Sequence, residues 1–197
     1  MRVTSQPRAM VAAASGVWQQ GAPSCGRGIM RPCQVDSGAG VHVHYDWITP
    51  RVALGSRPAS AWDVRELALE GVTHVVNMAA GLDLGQILVE ASAGGLDPVP
   101  AVAAFPIGDA EDGAGVRGHL LRQAVAHVVR VLGQAEEHRV YVHCVHGVSR
   151  SATVVLGWLM HDQDIGVGEA LARLKAARPK ASPHPLLVAE MLDAPAV

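Results

Sequence analysis

An α/β fold, built on a central, mostly parallel sheet flanked by helices, is the class this chain predicts, and three observations predict it. Compact apolar runs at 72–78, 101–107 and 140–142 have the length and composition of buried strands. Stretches of helical period separate them, as crossovers between parallel strands require. The part that carries these patterns, residues 41–193, has the size of one domain, which buries about 68–70% of its unfolded surface.

The elements follow in order. Alternating apolar and polar residues at 41–45 predict an early strand, and 52–54 a second. Ser60 with Asp63 three positions on reads as a capping box for a helix ending at Gly71. Trp62, Val64, Leu67, Ala68 and Leu69 should line its inner side, leaving Arg65, Glu66 and Glu70 to water. Residues 72–78 form a buried central strand, and a helix over 84–93 stops at Gly94-Gly95. A strand at 101–107 precedes a long helix at 116–136, whose inner residues are Leu120, Leu121, Val125, Val128, Val129 and Leu132. Its histidines, His119 and His127, and the following His138 read as surface residues. After the strand at 140–142 come helices over 152–160, 167–177 and 183–192, with Arg178-Pro179 breaking the last two apart.

Composition narrows the function. The 197 residues carry a formal charge of −2 and no run of lysines and arginines, which argues against a nucleic-acid partner. No stretch of about 18 apolar residues occurs, so no membrane span is expected. Three cysteines, an odd number, do not describe a disulfide framework, and a reducing cytoplasm is the expected compartment. Cys25 and Cys33 match no metal-ligand spacing and read as ordinary thiols. Residues 1–40, rich in Ala, Gly, Ser, Pro and Gln without period, read as a disordered extension. Arg2 and Arg8 before residues 10–17 imitate a secretory signal, but Ser15 and Gly16 interrupt its core; a start at Met10 or Met30 explains the head more simply.

The chemistry lies in the run from Val142 to Ser151, where His143-Cys144 is followed by Val145, His146, Gly147, Val148, Ser149, Arg150 and Ser151. A tight loop between a strand and a helix N-terminus turns its N–H groups inward as a nest, and the helix end adds about half a positive charge. Residues 145–149 would cradle a phosphate, with Gly147 permitting the turn. Arg150 would grip two phosphate oxygens through its planar fork. The same field favours a thiolate, so Cys144 is expected as nucleophile, with the Ser151 hydroxyl easing its departure from a phosphocysteine. His143, packed beneath the loop, would position the thiolate, and His146 would line the rim.

A leaving alkoxide or phenolate needs a proton, and the acidic loop that follows 101–107 offers Asp109, with Asp112 the alternative. Ligands of parallel sheets bind beyond the carboxyl ends of strands, and both Cys144 and Asp109 follow strands there.

The pattern His143-Cys144-x-x-Gly147-x-x-Arg150-Ser151 resembles the signature of the dual-specificity branch of the cysteine-dependent protein phosphatases. Ile48 to Ser56, Gly71 to Met78 and Ala177-Arg178-Pro179 resemble further segments of that family, so the likeness spans about residues 41–193. It implies a protein tyrosine phosphatase-like fold and a two-step, metal-free mechanism without cofactor. Cys144 is then the nucleophile, Arg150 the clamp and Asp109 the general acid, acting on phosphotyrosine, with phosphoserine and phosphothreonine in proteins as further substrates.

Other readings compete. His146 is reminiscent of RNA 5′-triphosphatases, whereas Val148-Ser149-Arg150-Ser151 has the protein-phosphatase form. A non-catalytic phosphate-binding module would keep the pocket without turnover, yet every reactive residue is present. A lone buried cysteine is usually a small hydrophobe, and acids in Gly-rich loops are mostly turn formers. The Gly147-x-x-Arg150 spacing favours the reactive reading for Cys144 and lifts Asp109 above its ordinary role. Three side chains so close in one loop do not converge on a metal, so His143, Cys144 and His146 are not read as ligands.

Overall fold

The computed structural model describes residues 43–108 and 117–193. The expected extension over 1–40, Cys25, Cys33, Asp109 and Asp112 lie outside the described residues. Five strands, β1 (Tyr45–Thr49), β2 (Val52–Gly55), β3 (His74–Ala79), β4 (Ala101–Ile107) and β5 (Val140–His143), form one sheet in the order β1-β2-β5-β3-β4. The β2/β5, β5/β3 and β3/β4 pairs are parallel, and β1 alone runs antiparallel to its neighbour. The helices are α1 (Ala61–Leu69), α2 (Gly85–Ala93), α3 (Arg117–Gln134), α4 (Arg150–Gln163), α5 (Val167–Ala177) and α6 (Pro185–Leu192).

Alternation along the strands sorts side chains into two cores. Val52, Leu54, Val76, Met78, Val140 and Val142 join α3 to α6 in the larger one. Ala53, Val75 and Tyr141 point the other way, to Leu67 of α1 and to Ile87 and Leu88 of α2. The result is the expected α/β sandwich, with β5 at its centre and β4 at an edge.

Four expectations need correction. The first strand starts at Tyr45 rather than 41, because the Val43 amide is taken by the Asp63 carboxylate (3.2 Å) and pairing with β2 begins at Tyr45↔Gly55. The capping box forms, but Asp63 is only 1% exposed: its carboxylate also accepts from the amides of Ala59 (2.6 Å) and Ser60 (3.0 Å). That buried carboxylate holds the inward position of α1 together with Val64 and Leu67, and Trp62 and Leu69 are turned out, 63% and 86% exposed. The strand over 74–79 is buried as expected, yet β5 rather than β3 holds the middle of the sheet. His138 is half-buried, its ring packed at a tilt against His74 with centroids 4.6 Å apart, and His127 packs edge-on against Phe105 at 5.5 Å; His119 is exposed as expected.

Candidate active site

The central strand β5 ends at His143 and α4 begins at Arg150, so residues 144–149 make a loop between the middle of the sheet and a helix N-terminus. The first turn of α4 contains no acidic residue, which leaves its positive end uncompensated by a carboxylate of its own. Gly147 has φ +67°, in the left-handed region that favours glycine. Its space is equally restricted, since a Cβ there would lie 2.3 Å from the Gly55 carbonyl carbon and 2.9 Å from Arg178 Nη2.

Cys144 is buried with its Sγ at the focus of the loop. The Gly147 amide and the Ser151 hydroxyl each donate to Sγ at 3.3 Å. Burial pushes the thiol up. The Ser151 hydroxyl and the amides of Ser151, Gly147 and Val148 outweigh it, and the net shift is downward, toward the thiolate. Arg150, 5% exposed, donates Nη1–H to the Ile107 carbonyl at 3.1 Å, which ties the start of α4 to the end of β4. The carboxyl ends of β4 and β5 lie on the same side of the sheet with β3 between them, and the Arg150 side chain spans that gap.

His143 lies beneath the loop, fully buried, its ring stacked on Tyr141 at 5.7 Å. Its Nδ1 is 3.2 Å from the Cys144 carbonyl, which can only accept, so Nδ1 carries the proton. Burial pushes the imidazole pKa down to about 4, with the bond to Cys144 opposing, and the ring is neutral at physiological pH. His146 is exposed at the rim, and Val145, Val148 and Ser149 are half-buried along the loop. The Val145 carbonyl accepts from the Arg57 amide (3.2 Å) and the Val148 carbonyl from the Ser182 amide (2.8 Å), so the loop is held from outside as well.

The sequence marks Arg178 only as part of a helix break and a family-like segment, yet it is fully buried and reaches under the loop. Its Nε donates to the Gly147 carbonyl (2.9 Å), Nη1 to the Asp46 carboxylate (2.5 Å) and Nη2 to the His44 carbonyl (3.4 Å). Tyr141, whose hydroxyl donates to the Ser56 carbonyl, completes the floor. Nothing local in sequence announces these partners, because Asp46 and Arg178 are 132 positions apart. Among the described residues, no group of three or more His, Cys, Asp or Glu side chains is arranged to hold a metal ion. No helix among them is long and apolar enough to cross a membrane.

Residues 103–195 match the family model described as dual specificity phosphatase, catalytic domain. Human dual specificity protein phosphatase 13B is 33% identical over 138 residues, which cover 68% of this chain and 65% of that protein's length. The chain thus spans slightly less than two thirds of this relative. Among solved structures, PTPMT1 superposes with a TM-score of 0.60 at 25% identity, covering 75% of this chain and 91% of the other. Human DUSP28 does so with a TM-score of 0.59 at 26% identity, covering 75% and 89%. Loop geometry, sheet order and these likenesses agree in supporting the dual specificity phosphatase family for this chain.

Proposed function

We propose that the protein is a cysteine-dependent phosphatase that hydrolyses phosphotyrosine, and phosphoserine and phosphothreonine, in proteins through a phosphocysteine intermediate. The observation that carries this reading is the convergence of the Gly147 amide and the Ser151 hydroxyl on a buried Cys144 whose pKa is lowered at the N-terminus of α4.

In the first step the Cys144 thiolate attacks phosphorus and the bond from phosphorus to the ester oxygen breaks. The loop amides and Arg150 hold the equatorial oxygens, where charge is spread in the transition state. The leaving oxygen takes a proton from Asp109, which the sequence places two residues beyond β4. In the second step water attacks the phosphocysteine and gives its proton to the Asp109 carboxylate. Inorganic phosphate leaves, and Ser151 donates to the sulfur as it regains its charge.

Hydrolysis of para-nitrophenyl phosphate and of phosphopeptides by wild type and Cys144→Ser, in reductant and chelator, tests the reading. Turnover by wild type alone supports it. Absence of turnover by wild type, or turnover that survives Cys144→Ser, refutes it. Asp109→Ala should slow poor leaving groups far more than good ones; the same pattern in Asp112→Ala instead would move the acid to that residue.

A further inference from the structure

Away from the catalytic loop, a cavity of about 360 Å³ opens between α3, α4 and α6. Val125, Val129, Met160, Met191 and Leu192 make its walls. Gly157 makes its floor: a Cβ there would stand 2.7 Å from Met191 Sδ and 2.9 Å from Val125 Cγ2, so the missing side chain lets these two wall residues seat directly on the backbone of α4. Gly157 and Met160 lie seven and ten residues beyond the start of α4, about 10–15 Å along the helix from Arg150.

The charged groups on the lining are Arg122 and Arg130, His161 lies beside them, and no carboxylate is among the described lining residues. Arg122 is fixed at the wall by Nη1, which donates to the carbonyls of Glu190 (3.2 Å) and Met191 (3.4 Å). The Glu190 carboxylate is engaged elsewhere, accepting from Arg117 Nε (2.9 Å) and Nη2 (2.6 Å). Arg130 is exposed, with Nη2 2.8 Å from His127 Nδ1. Beyond Val129 and His161 the depression continues as a second cavity of about 510 Å³ toward Thr49 and Arg51, where Asp162 is the first acid met.

We propose that this groove binds a single-chain anionic amphiphile, a free long-chain carboxylate, with its tail over Val125, Val129, Met160 and Met191 and its head group at Arg122 and Arg130. The volume is that of a small-ligand site, the walls are apolar, and the polar groups that converge on the mouth carry one sign of charge. Two methionines supply flexible, polarizable walls of the kind that accept chains of varied length. The site is independent of the phosphatase chemistry and stands whether or not Cys144 turns over substrate.

The test uses the full chain with ¹³C-methyl methionine. Titration with monomeric dodecanoate should move the Met160 and Met191 methyl signals saturably and leave Met78, fully buried in the larger core, in place. Arg130→Glu should weaken binding about fivefold or more by removing the charge that meets the carboxylate. Ala126→Trp, at an exposed lining position, should block it, with the unchanged Met78 signal showing that each variant is folded. Failure of Met160 and Met191 to respond overturns the proposal, as does binding of dodecyltrimethylammonium as tightly as dodecanoate. A response only to phosphatidylglycerol vesicles also overturns it, by assigning the face to a lipid surface.

Discussion

Gly147 rests on Gly55: with its φ of +67°, a Cβ at Gly147 would come within 2.3 Å of the Gly55 carbonyl carbon and 2.4 Å of its oxygen. The two backbones touch because Gly147 has no side chain on that side, while the missing Cβ of Gly55 leaves room instead for the Tyr141 hydroxyl and for Tyr45. Gly147→Ala meets both the left-handed backbone and the contact with main chain, which cannot swing aside. It should lower stability by about 1–3 kcal/mol and cut phosphatase turnover severely. Urea unfolding beside steady-state kinetics checks this, and wild-type turnover in the variant would show that the loop has room to spare.

Ser151→Ala removes the hydroxyl that donates to Cys144 Sγ at 3.3 Å. That bond favours the charged form of the sulfur, so without it the Cys144 pKa should rise. The thiolate is the reactive form and populates above its pKa, so the variant's iodoacetamide alkylation profile should move to higher pH. An unmoved profile would mean that the loop amides alone set the pKa.

Arg178→Met takes the donors from Gly147, Asp46 and His44 together. Losing one partner of a buried pair costs about 3–5 kcal/mol, and the 45% exposure of the Asp46 side chain places this case at the low end. Asp46→Asn keeps an acceptor beside the guanidinium and should cost less than about 1 kcal/mol. If the two variants are equally destabilised, the carboxylate rather than the Gly147 carbonyl is the important partner.

His143 binds a proton near pH 6.5 when unfolded but only near pH 4 in its buried site. Between these values unfolding takes up a proton, so stability is complete above pH 6.5 and falls as pH drops toward 4, by about 3 kcal/mol at most. His74 and His127, also held below the ordinary histidine range by burial and by neighbouring cationic groups, add to the same trend. In the Cys144→Ser background, His143→Asn should take up about one proton fewer on unfolding at pH 5. Identical slopes would show that the ring titrates normally.

Most of the fold was legible because its signals are local: period-two runs, helical faces, a capping box and glycine stops each lie within a few residues. The loop between β5 and α4 was legible for the same reason, its candidate groups falling within nine positions from His143 to Ser151. The inner face of α1 was misread because a carboxylate, Asp63, is buried there by three amides that sequence does not bring together. Arg178 escaped because its partners at Asp46 and His44 come from the opposite end of the domain. The early strand was misplaced because the alternation at 41–45 includes Val43, a core residue whose amide serves Asp63 instead of the sheet.

The central position of β5 gives the two halves of the candidate site unequal lifetimes. Its amides and carbonyls are shared with β2 on one side and β3 on the other, so they should exchange with solvent only when the whole domain opens. β4 is an edge strand with exposed alternate residues, held to the sheet by β3 alone, and should open first. Deuterium would therefore enter around Ile107 long before it reaches Cys144, and the contact from Arg150 to Ile107 would break and re-form many times while the thiolate cradle stays closed.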